Sequence, residues 1–444
     1  MTMFASPTGT VPVGGVGTFD GVLLGALGSP RVEGAFTGRE MRAWNVTWGS
    51  LEGQTVIENS YAYVTQGVLR DELGRMDVEG KFSLGYPRRD GGEEIDARVR
   101  ATEWPLTDYR QAFELYSYPV FGVVNGDVHL YGKYESPFGF GRMSLDRGTA
   151  YDEPFASMVA SLRFEGPGVR LDGLEIQKAG TTITGAAYVG WDGTYSFNAD
   201  GRRLAVDALD LTYFPTLPAI TGFADFSAVG SGTFDEPRYD VKVSVFDLFI
   251  GDEGIGQMSA QVALRGLTVL YSFDVASPRL AASGSGQFAL TEAGEIEMTM
   301  RISDTSLDPY ARVFMPSLSP YTEATGGGSV RVSGAVYTPD ALHVSASIDD
   351  LRVTLFDYPL RNRGTLEVAL DGSIVTLGAF AFTGDRTALE LSGTVDLAKD
   401  VVALKANGEA NLAVVQGVVP DVRGSGLATV SASIGGSTAT PTVA

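Results

Sequence analysis

The stretch YPLRNRGTLEVALDGSIVTLGAFAFTGDRTALELSGTVDL, Tyr358 to Leu397, decides the fold. In 365–370 (TLEVAL) Leu366, Val368 and Leu370 line up. In 388–397 (ALELSGTVDL) Leu389, Leu391, Val395 and Leu397 oppose Glu390, Ser392, Thr394 and Asp396. Successive side chains of a strand point to opposite faces, so this period of two predicts strands with one apolar and one polar face. Strand, turn, strand, turn and strand follow one another through the stretch.

The same alternation extends outward. In 258–264 Met258, Ala260, Val262 and Leu264 share a face; in 295–302 Ile296, Met298, Met300 and Ile302 oppose Glu295, Glu297, Thr299 and Arg301. In 341–348 Leu342, Val344, Ala346 and Ile348 oppose His343, Ser345 and Ser347. An antiparallel sheet tolerates one wet face, but its apolar face must be covered. A second sheet would do this in a sandwich. A sheet curled lengthwise into a trough would do it with itself and with whatever fills the trough. Glycines at strand centres, Gly80, Gly185, Gly286 and Gly393, favour the curled form, because glycine bends strands and leaves room.

A longer period organises these strands. Five anchors of glycine, alternating strand, glycine and proline end at Pro30, Pro137, Pro237, Pro339 and Pro441, at intervals of 107, 100, 102 and 102 residues. A glycine-centred strand returns at 76–84, 181–189, 281–290 and 389–397, each followed by a turn: Asp90-Gly91-Gly92, Asp192-Gly193, Ala293-Gly294 and Lys399-Asp400. Proline-closed patches at 107–118, 204–214, 308–315 and 411–419 predict four short helices. The chain therefore reads as a repeat array: 1–17 disordered or an interrupted repeat, repeats at 18–119, 120–221, 222–326 and 327–424, and the start of a fifth at 425–444. An array that opens near one anchor and stops just past another is expected to be an internal segment of a longer protein.

Composition narrows the function. The 444 residues carry 33 Lys and Arg against 54 Asp and Glu, a net charge of −21, which argues against nucleic acid and against an anionic membrane surface. Hydrophobic residues make up 44%, too many for a disordered chain. With no cysteine there are no disulfides, thiolate zinc sites or cysteine nucleophiles. The two histidines, His129 and His343, fall at different repeat offsets and read as surface residues. The acidic run Asp90–Asp96 lacks the alternation of a calcium loop and reads as a solvated hairpin tip. Gly139-Phe140-Gly141 and Gly284-Ser285-Gly286 lack the rest of any phosphate-binding fingerprint and read as strand glycines. No metal, cofactor or catalytic constellation stands out, so no enzyme activity is expected. If one were hidden, the irregular first repeat with Trp44, Trp48 and Trp104 is where to look. Nothing in the sequence reads as a membrane-spanning helix or a signal peptide.

The hundred-residue period, the G-x-x-x-x-P anchors and above all the 358–397 stretch resemble the repeats of the TamB group, within the AsmA-like bridge-forming lipid-transfer proteins of diderm bacterial envelopes. The resemblance runs from about Gly17 to Val443 and rests on periodicity and glycine placement. It implies a mainly β fold, an elongated curved antiparallel sheet or β-taco with an apolar groove. It implies a periplasmic role in moving phospholipid between inner and outer membranes and in outer-membrane protein assembly and secretion. Phospholipid acyl chains would be the cargo, and an outer-membrane β-barrel a partner of the full-length protein. At six to eight strands per repeat, each about 4.8 Å apart, four repeats would advance on the order of 120–160 Å. The apolar positions read from alternation then become the expected groove wall: Met258, Val262, Leu264, Ile296, Met298, Met300, Leu342, Val344, Ile348, Leu366, Val368, Leu370, Leu389, Leu391 and Val395. Glu295, Glu297, Glu390 and Asp396 are expected to face solvent. A structural or adhesive β-repeat surface protein is the alternative, and a glycan-active enzyme a third reading.

Overall fold

The computed structural model describes residues 2–6, 9–72, 74–85, 93–113, 115–116, 118–209, 219–233, 235–251, 253–277, 280–307, 322–355, 358–412, 424–437 and 441–443. The fold is mainly β and antiparallel. The chain divides into two compact units, 1–215 with 224–237, and 216–223 with 238–444.

The first unit begins with β1 (Thr2–Ser6), β2 (Gly9–Ala26), β3 (Ser29–Ala43), β4 (Val46–Glu58), β5 (Tyr61–Asp71), β6 (Gly74–Ser83) and β7 (Ile95–Pro105). A short helix, α1 (Leu106–Ala112), leads to β8 (Val120–Lys133), β9 (Ser136–Ala150), β10 (Glu153–Glu165), β11 (Gly168–Lys178), β12 (Thr181–Gly190) and β13 (Thr194–Ala205). Most of β14 (Ile220–Thr233) also belongs here. From β1 to β13 each strand pairs antiparallel with the next, an up-and-down meander.

The second unit runs through β15 (Pro237–Ile250), β16 (Glu253–Arg265), β17 (Thr268–Ala276), β18 (Ala281–Ala289), β19 (Glu295–Ser306), β20 (Thr322–Ala335) and β21 (Leu342–Leu355). It continues with β22 (Tyr358–Asn362), β23 (Leu366–Asp371), β24 (Ile374–Gly384), β25 (Thr387–Asp396), β26 (Val401–Asn411), β27 (Leu427–Gly436) and β28 (Pro441–Val443). The meander holds with one variation: β22 and β23 both lie between β21 and β24, as one strand interrupted at 363–365. There the Asn362 side chain replaces missing ladder bonds. It accepts the Leu351 N–H at 2.8 Å and donates to the carbonyls of Asp349 and Gly364 at 3.1 and 2.8 Å.

The repeats are therefore not separate domains. β7 pairs with β8 across the boundary expected at 119/120, and the boundary expected at 326/327 falls inside β20. The unit division lies near the expected 221/222 boundary. In residues 1–17, where disorder or an interrupted repeat was expected, β1 and the start of β2 form. Of the four expected helices, the first forms an α-helix that stops at Ala112. The second is a single 3₁₀ turn at Val206–Ala208. The patches at 308–315 and 411–419 fall almost wholly outside the described residues. Such patches are too short to sustain a helix by themselves. α1 is held by packing: Trp48 and Trp104 lean across β5 and β6 to stack at 5.9 Å, with Met76, Ala101 and Ala112 buried around them. Trp104 is wholly buried and donates its indole N–H to Asp108 at 3.1 Å. The tryptophans of the first repeat thus join α1 in one apolar cluster.

The glycine five residues before each anchor proline has a positive φ in every copy: Gly25, Gly132, Gly232, Gly334 and Gly436, at 83, 95, 128, 119 and 94°. A side chain there would be strained, so the G-x-x-x-x-P spacing records a backbone requirement. β-Bulges interrupt the ladders at several places. Glu40, Gln66, Glu103 and Asp247 adopt left-handed φ of 49 to 56° inside register shifts. One extra residue on one strand bends it and increases its twist.

Candidate functional site: an apolar sheet face

In the second unit the apolar side chains of successive strands meet in register. One row runs Val241, Val262, Tyr271, Gly286, Met298, Val332, Val344, Leu370, Val375, Val395 and Val402, from β15 to β26. A second runs Val243, Ala260, Phe273, Gly284, Met300, Val330, Ala346, Val368, Leu377, Gly393, Leu404 and Ile434. Neither row contains a charged residue. Two glycines sit where rings lie over the sheet: a Cβ on Gly284 would meet the Phe273 ring at 2.6 Å, and one on Gly286 the Tyr271 hydroxyl at 2.8 Å. Burial raises the pKa of that hydroxyl above its ordinary value.

The fifteen expected wall residues all have their place on this face. Ile296, Met298 and Met300 of β19 lie beside Leu342, Val344 and Ile348 of β21 through β20, and Leu366, Val368 and Leu370 pair directly with the latter strand. Met258, Val262 and Leu264 are on β16; Leu389, Leu391 and Val395 are on β25. Leu366 alone among them is buried, at 0% exposure, and the other fourteen are half-buried. Glu295, Glu297 and Glu390 are exposed on the other face. Asp396 differs: its carboxylate is held in the following turn, accepting the Lys399 N–H and ammonium at 3.0 and 2.8 Å, which leaves it half-buried with its pKa lowered chiefly by the Lys399 side chain.

The first unit repeats the arrangement in Val78, Val99, Val128, Gly141, Leu162, Leu171, Ala187 and Phe197, from β6 to β13. All eight are half-buried. The sequence reading missed this row, and in the second unit it missed Tyr271 and Phe273. The signal was present in 268–276 (TVLYSFDVA), where Val269, Tyr271, Phe273 and Val275 alternate.

Side chains in a sandwich core lose nearly all contact with solvent, whereas fourteen of the fifteen expected wall residues keep part of theirs. Among the described residues no three His, Asp or Glu side chains are grouped to hold a metal, and no helix is long and apolar enough to cross a membrane. The histidines are engaged on the polar face, His129 with Asp96 at 2.7 Å and His343 with Asp371 at 2.8 Å. Compared with known protein families, curated proteins and solved structures, the chain matches none.

Proposed function

We propose that this protein carries phospholipid acyl chains on its apolar sheet face. It would act as a periplasmic lipid conduit between the inner and outer membranes, supporting outer-membrane biogenesis alongside a β-barrel partner. The observation that carries the reading is the pair of uncharged rows that cross β15 to β26 without interruption, all but Val402 half-buried. Each CH₂ kept from water is worth about 0.8 kcal/mol, so a continuous apolar path removes most of the barrier to moving a lipid tail through water. The hundred-residue repeat and its glycine–proline anchors, shared in pattern with the AsmA-like lipid-transfer group, support the same reading.

Lipid exchange between donor and acceptor vesicles tests it. The purified chain should accelerate transfer of a fluorescent phospholipid, and Val344→Asp should abolish that gain while leaving the β-sheet circular dichroism intact. No acceleration by the folded wild-type chain would count against lipid transfer and in favour of a structural β-array.

A further inference from the structure

The polar face of the first unit breaks its own pattern at β8 and β9. In the segment Phe138-Gly139-Phe140-Gly141 the glycines occupy the apolar face and the phenylalanines the polar one. Phe140 is 61% exposed, Phe138 48% and Tyr131 39%. Their rings are organised: Tyr131 stacks on Phe138 at 6.3 Å, and His129 meets Phe140 edge-on at 5.6 Å. These ring pairs recover only part of what burial would give, and places where a sequence abandons its own pattern are where function is sought.

Polar groups surround these rings. Register places Arg98, His129, Phe140 and Arg163 side by side across four strands. Arg98 grips Asp127 through two bonds of 2.7 and 2.6 Å, and Arg100 reaches the same carboxylate at 3.2 Å. Arg163 pairs with Glu165 at 3.0 Å. Arg98, Asp127, His129 and Phe140 border a shallow depression. Arg98 and Arg100 share the Asp127 carboxylate and Arg163 pairs with Glu165, so these charges are mostly compensated within the platform. The pairing also fixes planar groups in place, and each guanidinium carries more N–H donors than its ion pair uses.

We propose that this platform binds a neutral oligosaccharide, its pyranose faces stacked on Phe138 and Phe140 and its hydroxyls held by the surrounding Arg98, Asp127 and His129. A pyranose has a flat C–H face for an aromatic ring and a rim of hydroxyls that both donate and accept, the complement of rings ringed by fixed polar groups. The platform lies on the face opposite Val128 and Leu162, so it works independently of lipid.

Isothermal titration of the full chain with chitotetraose, cellotetraose and maltotetraose tests the proposal. Saturable heat is expected with at least one of them. Phe140→Ala should weaken that binding about tenfold or more at an unchanged thermal midpoint, and Phe140→Trp should retain it. Absence of saturable heat with all three sugars, the result a protein-docking patch would give, overturns the proposal. So does binding left unchanged by both Phe138→Ala and Phe140→Ala.

Discussion

A side chain on Gly286 would drive its Cβ into the carbonyl oxygen of Glu297, the residue before its cross-strand partner Met298. Gly80 stands in the same relation to Asp96, Gly185 to Asn198, and Gly393 to Ala403. The four strand-centre glycines of the repeat thus mark one recurring close approach of neighbouring strands, at a separation real Cβ atoms do not reach. Gly286→Ala should destabilise the second unit by about 1–3 kcal/mol, as overpacking does elsewhere. Gly28→Ala, where a new Cβ meets nothing within 4 Å, should stay within about 0.5 kcal/mol of wild type in denaturant titrations.

An open face and a closed core respond differently to truncation. Leu366→Ala, at the one fully buried position of the expected wall, should cost about 2–5 kcal/mol. Met298→Ala, half-buried on the same face, should cost roughly half as much or less, because water already reaches it. Equal losses in chemical denaturation would indicate that the face is covered by a second layer.

Truncating Trp104 removes the largest wholly buried side chain and the support of α1. Trp104→Ala should cost about 3–5 kcal/mol and weaken near-ultraviolet circular dichroism. Trp191→Ala, on a residue 49% exposed, should cost far less.

Acid titration should show two opposing trends. Asp127 has its pKa lowered, first by the Arg98 hydrogen bond, so its contribution is present above the unfolded carboxylate range and lost as pH falls through the folded value. Asp108 has its pKa raised, first by burial, so its contribution is present below the unfolded value and lost as pH rises through the folded one. Asp127→Asn should flatten the stability curve below about pH 4, and Asp108→Asn just above it. Stability profiles of the two variants that bend in the same direction would contradict these assignments.

Much of this was legible in the sequence because it rests on local rules. Alternation in 295–302 and 388–397 placed side chains on faces, and the G-x-x-x-x-P anchors recorded a positive φ that only glycine takes easily. The bulges were not legible. Gln66 and Glu103 adopt left-handed φ without belonging to a residue type that announces it, and each shifts the register beyond it. In β24 a shift between Leu377 and Phe380 sets Phe380 opposite Leu391, a pairing that strict period two does not reach. The outward phenylalanines at 138 and 140 were hidden for a related reason: which face of an alternating strand is the apolar one depends on its neighbours. At 204–214 the described residues hold a single 3₁₀ turn where a helix was expected, because a proline-closed patch states where a helix must stop, not whether packing will hold one.

The central claim is that the half-buried rows hold acyl chains. Photo-crosslinking residues at Met298, Val344 and Leu391, with Glu297 and Ser345 on the other face as controls, measure it most directly after purification from a diderm host. Covalent phospholipid at the three row positions and none at the controls is the predicted result. A folded protein that yields no lipid adduct at any of the three, or equal adduct on both faces, would contradict it.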